Sequence, residues 1–549
     1  MVNRIQARAA GAVAEKVLSA KSLKAALTSQ VAQHVAGEVA RKVQRNIKRA
    51  VAGTLGLVGE RMSKVDTAWL RMDCEANLMM IVGVWQLAPG LKYAAVSERI
   101  ENTLLKYDRF RQRVLEDAGG ATWVHDRNFD LAHHLVLEKL PNVAKGHEQQ
   151  ALQDRVAVLA TQRLDPKRPL WQIHLIEDYT GPDGVKGSAM IVRIHHCIAD
   201  GIALISVTMS LVDGGEAPTG RSVKNTDGKA SPQSAEDWIA DTLLRPFTDI
   251  TVKALGAMGE GAARSLGMLG GAQNGVKQGI EKGVSGSMDM ARIVFQLLSD
   301  SAALALMPDD SKTRLKGKPG GAKKVAWCAP IPLEDVKAVG KALNCSINDV
   351  LLSCVAGALG EYLKSFGDDV AGQEIRAMVP VNLRPPNPAG GQLQQLGNRF
   401  GLVPLVLPIG IENPIERVYE VRRRMAALKG SYQPLLAFSL LAVAGLLIKP
   451  AQNVMLNLFA KKTTAVMTNV PGPRDKLKFC GATLEQSMFW VPQSGDVGLG
   501  VSILSYGGGV QFGVITDSLL CPEPQRIIDE FVPEFARLSI VTLMLPWGD

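Results

Sequence analysis

One stretch of the sequence places two adjacent histidines where a strand gives way to a helix. Residues 187–192 form an apolar run typical of a buried strand, and the apolar residues that follow Gly201 recur at helical spacing. Between them stand His195, His196 and Asp200. A buried strand that turns directly into a helix is typical of layered α/β folds, and side chains at such a junction face a cleft rather than a core.

The residue types at this junction favour acid–base chemistry. The unperturbed pKa of imidazole is roughly 6.5, so a neutral histidine can take a proton from a hydroxyl as it attacks. Because neighbouring strand residues point to opposite faces, we take His196 as the general base and His195 as a hydrogen-bonded structural residue. Asp200 fits a helix cap or an arginine partner. Gly201 would remove bulk where the helix closes on the strand.

Other uses of these residues are weaker. A His-His pair could be half of a zinc site, but the sequence offers no third ligand at suitable spacing, so no metal is expected. Cys197 could in principle be a nucleophile, but its place next to His196 on a strand would turn its side chain away. The pair His133-His134 has no Asp-Gly behind it and is interpreted as structural.

The junction and several other stretches resemble a known family. His195-His196-x-x-x-Asp200-Gly201 is similar to the signature of acyltransferases that use coenzyme A or carrier-protein thioesters. Pro169-Leu170-Trp171 narrows the resemblance to the bacterial wax ester synthase/diacylglycerol acyltransferase family. Further similar stretches are residues 65–73, 347–351, 379–384, 397–400 and 468–473. The resemblance covers roughly residues 62 to 540.

The resemblance implies a function and a set of site residues. It implies an O-acyltransferase that moves a long-chain acyl group from acyl-coenzyme A to a long-chain alcohol or diacylglycerol, by direct transfer and without a cofactor. Asn348 would be an oxyanion or orienting donor, and Arg384 would pair with Asp200 across the interface of two domains. The implied catalytic residues are His196, His195, Asp200 and Asn348. The implied substrate-binding residues are Gly201, Pro169, Leu170, Trp171, Asp349 and Asn398.

Two of these assignments have structural alternatives. On spacing alone Asn348 fits a helix N-cap, worth about 1 kcal/mol, nearly as well as a donor. Pro169-Leu170-Trp171 could be only a strand start with a core tryptophan.

The alternation of strands and helices predicts an α/β fold of two similar layered domains, like coenzyme A-dependent acyltransferases, with a cleft or tunnel between them. The expected bounds are a basic helical extension (1–60), a first acyltransferase domain (61–213), a Gly/Ala-rich helical linker (214–323) and a second acyltransferase domain (324–549). One long helix is expected over residues 93–114. The apolar run 435–448 is too short to span a bilayer of roughly 30 Å and is interpreted as a buried or interfacial helix.

Charge and cysteine content bear on location. Of the net charge of +9, about +7 lies in residues 1–60, which hold ten Lys/Arg against Glu15, Glu38 and Glu60. This segment favours an anionic membrane or lipid-droplet surface, a helix packed on the body, or an organelle transit peptide. Nucleic acid is disfavoured because the segment lacks aromatic residues. Seven scattered cysteines favour reduced thiols, so we expect a cytoplasmic protein associated peripherally with membrane or lipid inclusions.

Three function classes are open on sequence alone. The first is the acyl-coenzyme A-dependent enzyme described above. The second is a relative that acts on carrier-protein thioesters in polyketide or peptide assembly. The third is a non-enzymatic lipid-surface protein, which the intact His-His-x-x-x-Asp-Gly arrangement disfavours.

Overall fold

The computed structural model describes residues 59–117, 120–215, 308–382, 398, 400–429 and 461–545. The predicted N-terminal helices, the Gly/Ala-rich linker, the apolar run 435–448 and Arg384 lie outside these residues. The domain bounds at 213 and 323 therefore stay predictions.

The first half of the described chain alternates strands with helices, as predicted. Its strands are β1 (Glu60–Arg61), β2 (Met80–Ala88), β3 (Gln112–Asp117), β4 (Gly120–His125), β5 (Leu135–Glu138), β6 (Trp171–Thr180) and β7 (Lys186–His195). Its helices are α1 (Lys64–Arg71), α2 (Tyr93–Asn102), α3 (Glu148–Thr161) and α4 (Gly201–Leu211). The strand-to-helix junction at the two histidines is confirmed by β7 and α4.

The second half repeats the layered arrangement. Its strands are β8 (Lys323–Trp327), β9 (Ile331–Pro332), β10 (Ile375–Asn382), β11 (Phe400–Leu407), β12 (Ala465–Pro471), β13 (Lys478–Phe479), β14 (Ala482–Trp490), β15 (Leu499–Tyr506) and β16 (Gly509–Asp517). Its helices are α5 (Leu333–Ala342), α6 (Ile347–Lys364), α7 (Pro414–Lys429) and α8 (Pro524–Leu543). The starts predicted for α5 and α6, and the hairpin of β15 and β16, are confirmed.

Three sheets organise these strands. A three-stranded sheet has the order β1-β4-β3, and a seven-stranded sheet has the order β11-β10-β12-β15-β16-β8, with β9 added on β16. The strands of the six-stranded sheet run β13-β14-β2-β7-β6-β5, and only β5 and β6 pair in parallel.

The six-stranded sheet contains strands from both halves of the chain. β14 pairs with β2 so that Trp490 faces Val82 and Thr483 faces Ala88. Two hairpin strands of the second half thus complete the sheet of the first half. Sequence patterns show which residues form a strand but not which distant strand receives them, so this exchange was not predicted.

Two cores hold the layers together. The larger packs α5, α6 and α8 on the seven-stranded sheet. The smaller packs α3 on one face of the six-stranded sheet and also includes Val325, Trp327 and Ile515 of the second half. The opposite face of the six-stranded sheet is therefore left to line the site.

The prediction of one long helix over residues 93–114 is wrong. The helix α2 ends at Asn102, two short 3-10 turns follow, and β3 begins at Gln112. Leu104 and Phe110 are buried in the turns at 3% and 0% exposure, so burial accounts for the apolar spacing that suggested a helix. Residues 112–114 are extended because they belong to β3, which pairs with β4.

Among the described helices, none alone is long and apolar enough to cross a membrane. One pair of consecutive helices, Leu333–Ala342 and Ile347–Lys364, reaches the length and apolar composition of a membrane span only when the two are taken together, and the chain bends by 100° between them.

Candidate active site

His196 lies in the turn directly after β7, with its backbone and ring both held. Its N–H donates to the carbonyl of Met79 at 2.7 Å. Its ring stacks on Trp69 of α1, with centroids 4.2 Å apart and planes at 18°. Phe400, the first residue of β11, approaches the same ring at 5.5 Å. The ring is therefore placed by residues from both halves of the chain.

The carbonyl of His196 is held from the second half. Asn398 Nδ2 donates to this oxygen at 2.7 Å and to Oδ1 of Asp66 at 2.7 Å, and the Asn398 backbone N–H also reaches Asp66 Oδ1, at 3.3 Å. Asn398 is buried, with 2% of its surface exposed. The structure thus places Asn398, which the resemblance assigned to substrate binding, against the backbone of His196.

Burial sets the protonation state of His196. Desolvation lowers the pKa of this imidazole to about 4, and the negative charge of Asp200 opposes the shift only in part. A histidine with that pKa is neutral at physiological pH. It is therefore in the form that can accept a proton.

His195 has a different set of partners, as predicted, although it is the last residue of β7 and His196 lies beyond the strand. Its Nδ1 accepts the N–H of Cys197 at 3.2 Å, so Nε2 carries the proton, and Nε2 lies 3.5 Å from Oδ1 of Asp73. Asp73 also accepts the N–H of Met79 at 2.6 Å. Burial would raise the pKa of Asp73, but His195, the Met79 amide and Arg163 together lower it. This carboxylate therefore links His195 to the residue that holds His196.

Asp200 caps α4. Its Oδ1 accepts the N–H of Ala203 at 2.9 Å, and the residue is 3% exposed. The cap predicted from the sequence is present. Its pairing with Arg384 stays a prediction.

The reason given for Gly201 is wrong. A Cβ added there would meet nothing closer than Phe489, at 4.0 Å, so the helix does not need a glycine to pack on the strand. Gly201 instead faces a cavity.

An apolar cavity lies between α4 and the open face of the six-stranded sheet and opens to solvent. The space inside it that the centre of a water molecule can occupy is about 140 Å³. Ile194 and Gly201, on either side of His196 in the chain, both line it. Its walls come from both halves, including Trp171, Met190, Leu204, Pro473, Phe479 and Phe489. The space between the halves is therefore suited to a long alkyl chain.

The Pro-Leu-Trp stretch contributes unequally to this cavity. Trp171 lines it, stacks on His134 at 4.6 Å and donates from Nε1 to the carbonyl of Phe110 at 2.9 Å. Leu170 is buried, and its carbonyl accepts the N–H of His195 at 3.0 Å. Pro169 precedes β6, and its carbonyl accepts the N–H of Trp171.

Asn348 stands in the first turn of α6 but does not cap it. The cap is Ser346, which forms a capping box with Asp349, so the alternative role of Asn348 as N-cap is wrong. Oδ1 of Asn348 accepts from Asn469 of β12 at 2.7 Å. No hydrogen bond joins Asn348 to His196, both of which are described residues. Asp349 is 5% exposed and is engaged in the capping box.

Comparison with known proteins then decides the family. The model of the wax ester synthase/diacylglycerol acyltransferase catalytic domain matches residues 62–351, and the C-terminal domain of the same family matches residues 396–539. The chain belongs to this family. It is therefore an acyltransferase, and the expectation of an enzyme is confirmed.

Relatives of this acyltransferase cover most of its length. A protein of Mycobacterium tuberculosis (strain ATCC 25618 / H37Rv), named as a probable diacylglycerol O-acyltransferase, is 27% identical over 493 residues, which are 88% of this chain and 96% of the relative. Another from the same strain, also named as a diacylglycerol O-acyltransferase, is 28% identical over 444 residues, 78% of this chain and 86% of the relative.

Solved structures share the fold of this acyltransferase. A wax ester synthase/diacylglycerol acyltransferase from Marinobacter aquaeolei VT8 superposes with a TM-score of 0.56 at 21% identity, over 88% of this chain and 99% of that one. The first condensation domain of the CDA synthetase superposes with a TM-score of 0.52 at 14% identity, over 88% and 96% of the two chains. The predicted fold class is confirmed.

Sequence reasoning missed four residues of the acyltransferase site. Asp66, Trp69, Asp73 and Phe400 surround the two histidines, yet the sequence suggested no role for them. All four lie in stretches that carry the family resemblance. That resemblance was the available signal, but it did not show that these stretches meet at His196.

Proposed function

We propose that this acyltransferase moves a long-chain fatty acyl group from acyl-coenzyme A to the hydroxyl of a long-chain alcohol or diacylglycerol, with His196 as general base. The observation that carries the proposal is a buried, neutral histidine that lies between Ile194 and Gly201 in the chain, both of which line an apolar cavity. The names of the relatives support the acceptor class.

In the proposed reaction, transfer is direct. The imidazole of His196 takes the proton of the acceptor hydroxyl as the oxygen attacks the thioester carbon. The tetrahedral oxyanion then collapses, the carbon–sulfur bond breaks, and the leaving thiolate takes the proton from the imidazolium. The ester and the free thiol account for all atoms, so no metal or cofactor is required.

The oxyanion needs a hydrogen-bond donor, and we propose Asn348 for this role. Its Oδ1 is held by Asn469, which fixes the plane of the amide and leaves Nδ2 to donate. Loss of a single oxyanion donor typically lowers kcat by about 10²–10³-fold. Asn348→Ala should therefore be far more damaging to kcat than Asn469→Ala, which removes only the group that orients it.

The apolar cavity supplies binding energy and excludes water. Burial of each methylene is worth about 0.8 kcal/mol, which corresponds to a three- to fourfold gain in kcat/KM for each added carbon until the cavity is filled. Exclusion of water protects the thioester from hydrolysis.

The proposed function is tested with purified full-length protein, palmitoyl-coenzyme A, and either hexadecanol or dioleoylglycerol. Thin-layer chromatography should show wax ester, triacylglycerol or both, and turnover should survive dialysis against EDTA. If no ester forms with either acceptor but the protein transfers an acyl group from a carrier-protein thioester, the result would instead favour a role in polyketide or peptide assembly.

We also propose that the enzyme works at the surface of an anionic membrane or lipid droplet. The support is the excess of basic residues in the first 60 positions, because attraction to an anionic surface is about 1 kcal/mol per cation and weakens with salt. Flotation with anionic liposomes should decrease at high salt and on deletion of residues 1–58. Equal flotation of both forms would overturn this assignment.

A further inference from the structure

The Asn398 side chain has an orientation that its neighbours determine. Nδ2 faces the His196 carbonyl and the Asp66 carboxylate, both at 2.7 Å, and neither oxygen can donate to it. The amide nitrogen must therefore point towards them, and Oδ1 must point away. Oδ1 is buried and forms no hydrogen bond with a described residue.

The His196 ring has a matching buried atom. Its Nδ1 is also buried without a hydrogen-bond partner. Burial lowers the pKa of this imidazole, and Asp200, the His196 backbone and the Asn398 side chain oppose that shift in part, although Nδ1 and Oδ1 form no hydrogen bond in this structure.

We infer that Asn398 is a positioning residue for His196: its Nδ2 anchors the His196 carbonyl at 2.7 Å, and this anchor holds the ring of the base in place. This inference rests on the proposed function, since it specifies what holds the base in place. Asn398 need not touch the substrate to do this.

The arrangement couples catalysis to assembly of the two halves. Met79, in the first half, holds the N–H of His196, and Asn398, in the second half, holds its carbonyl. Phe400, two residues after Asn398, contacts the ring. The base therefore reaches its working geometry only when the start of β11 is seated beside the turn after β7.

A matched pair of substitutions tests the inference. Asn398→Leu removes the amide and keeps a similar volume. Asn77→Leu is the control, because Asn77 is equally buried at 2% exposure and its Nδ2 also holds two oxygens, the carbonyls of Gly495 and Val497 at 2.7 and 3.2 Å. Asn77→Leu removes these two bonds and also the bond from Lys323 Nζ to Asn77 Oδ1 at 2.6 Å, so it loses at least as many hydrogen bonds as Asn398→Leu, but only Asn398 contacts His196.

We expect Asn398→Leu to lower kcat about 10- to 100-fold, as small misplacements of catalytic groups do, while KM for palmitoyl-coenzyme A changes by less than about twofold. The acid limb of its kcat/KM profile should also move to lower pH, because Asn398 raises the pKa of His196 in the free enzyme. Asn77→Leu should lower the melting temperature without either effect. If Asn398→Leu is insoluble, Asn398→Ser replaces it, with the same expected direction.

The positioning role is overturned if Asn398→Leu keeps kcat within twofold of the parent, or if both leucine variants lose kcat equally. His196→Ala is assayed in parallel to separate this inference from the proposed function. Full activity of His196→Ala would show that His196 is not the general base. An inactive His196→Ala together with a fully active Asn398→Leu would show only that Asn398 does not position it.

Discussion

The low pKa of His196 makes both stability and activity depend on pH in a defined window. The folded-state pKa is about 4, against roughly 6.5 in an unfolded chain. Between about pH 6.5 and pH 4 this imidazole is mostly protonated in the unfolded state and mostly neutral in the folded state. Stability is therefore complete above pH 6.5 and falls as the pH decreases towards 4.

The size of this effect follows from the shift. A difference of about 2.5 units at about 1.4 kcal/mol per unit gives about 3 kcal/mol in total, most of which is lost by pH 4.5. His196→Gln removes the titrating group and keeps a polar side chain. His134 and His174, whose pKa values are also lowered by burial, remain in both proteins, so their contributions cancel in the comparison.

Urea unfolding of the parent and His196→Gln between pH 7.5 and 4.5 measures the effect. The stability advantage of the parent should decrease by about 2–3 kcal/mol over this range. In the same window kcat/KM of the parent should stay level down to about pH 5, because kcat/KM reports the pKa of the free enzyme's base. A constant stability difference, or an acid limb near pH 6.5, would refute the assignment of a buried neutral His196.

Three further outcomes follow from the packing around the site and core. Cys197→Ala should keep most of its turnover, and intact-mass spectrometry after donor alone should show no acyl adduct, because burial raises the pKa of this thiol well above its ordinary value; an adduct on Cys197 would establish a covalent route. Gly357→Ala should lower the free energy of unfolding by about 1–3 kcal/mol in urea, because a methyl there collides with the buried Arg417–Glu534 pair, and unchanged stability would contradict that packing. Leu204→Trp should shift the preferred acyl or alcohol chain to shorter lengths in a substrate series, whereas the exposed control Leu519→Trp should not. Identical chain-length profiles for the two variants would show that the substrate chain does not bind in this cavity.

Local sequence patterns predicted the parts of this site that are close together in the chain. A buried strand followed by His195, His196 and a capping Asp200 was enough to place the histidine pair at a strand-to-helix junction. The two histidines have different partners, as predicted, but His196 lies in the turn after β7 and not on the strand, so alternation along the strand is not the reason. The starts of α5 and α6 followed from spacing and end signals that act within a few residues.

The remaining features depend on contacts between distant segments. Trp69 and Phe400 meet at one imidazole although more than 300 positions separate them. Asn398 crosses a similar distance to reach Asp66. Nothing in the local pattern of β14 says that it pairs with β2 rather than with a neighbour in its own half. Such pairings are decided by the packing of the whole molecule, which a single sequence does not display.

The turnover of His196→Ala with palmitoyl-coenzyme A and a saturating acceptor tests directly whether His196 is the general base. Its circular dichroism and urea midpoint at pH 7.5 are recorded alongside, to show that it is folded. We predict that ester formation falls by about 10²–10⁴-fold, the usual contribution of general base catalysis, while the protein remains folded. A folded His196→Ala protein that forms ester at a near-parental rate would show that His196 is not the general base.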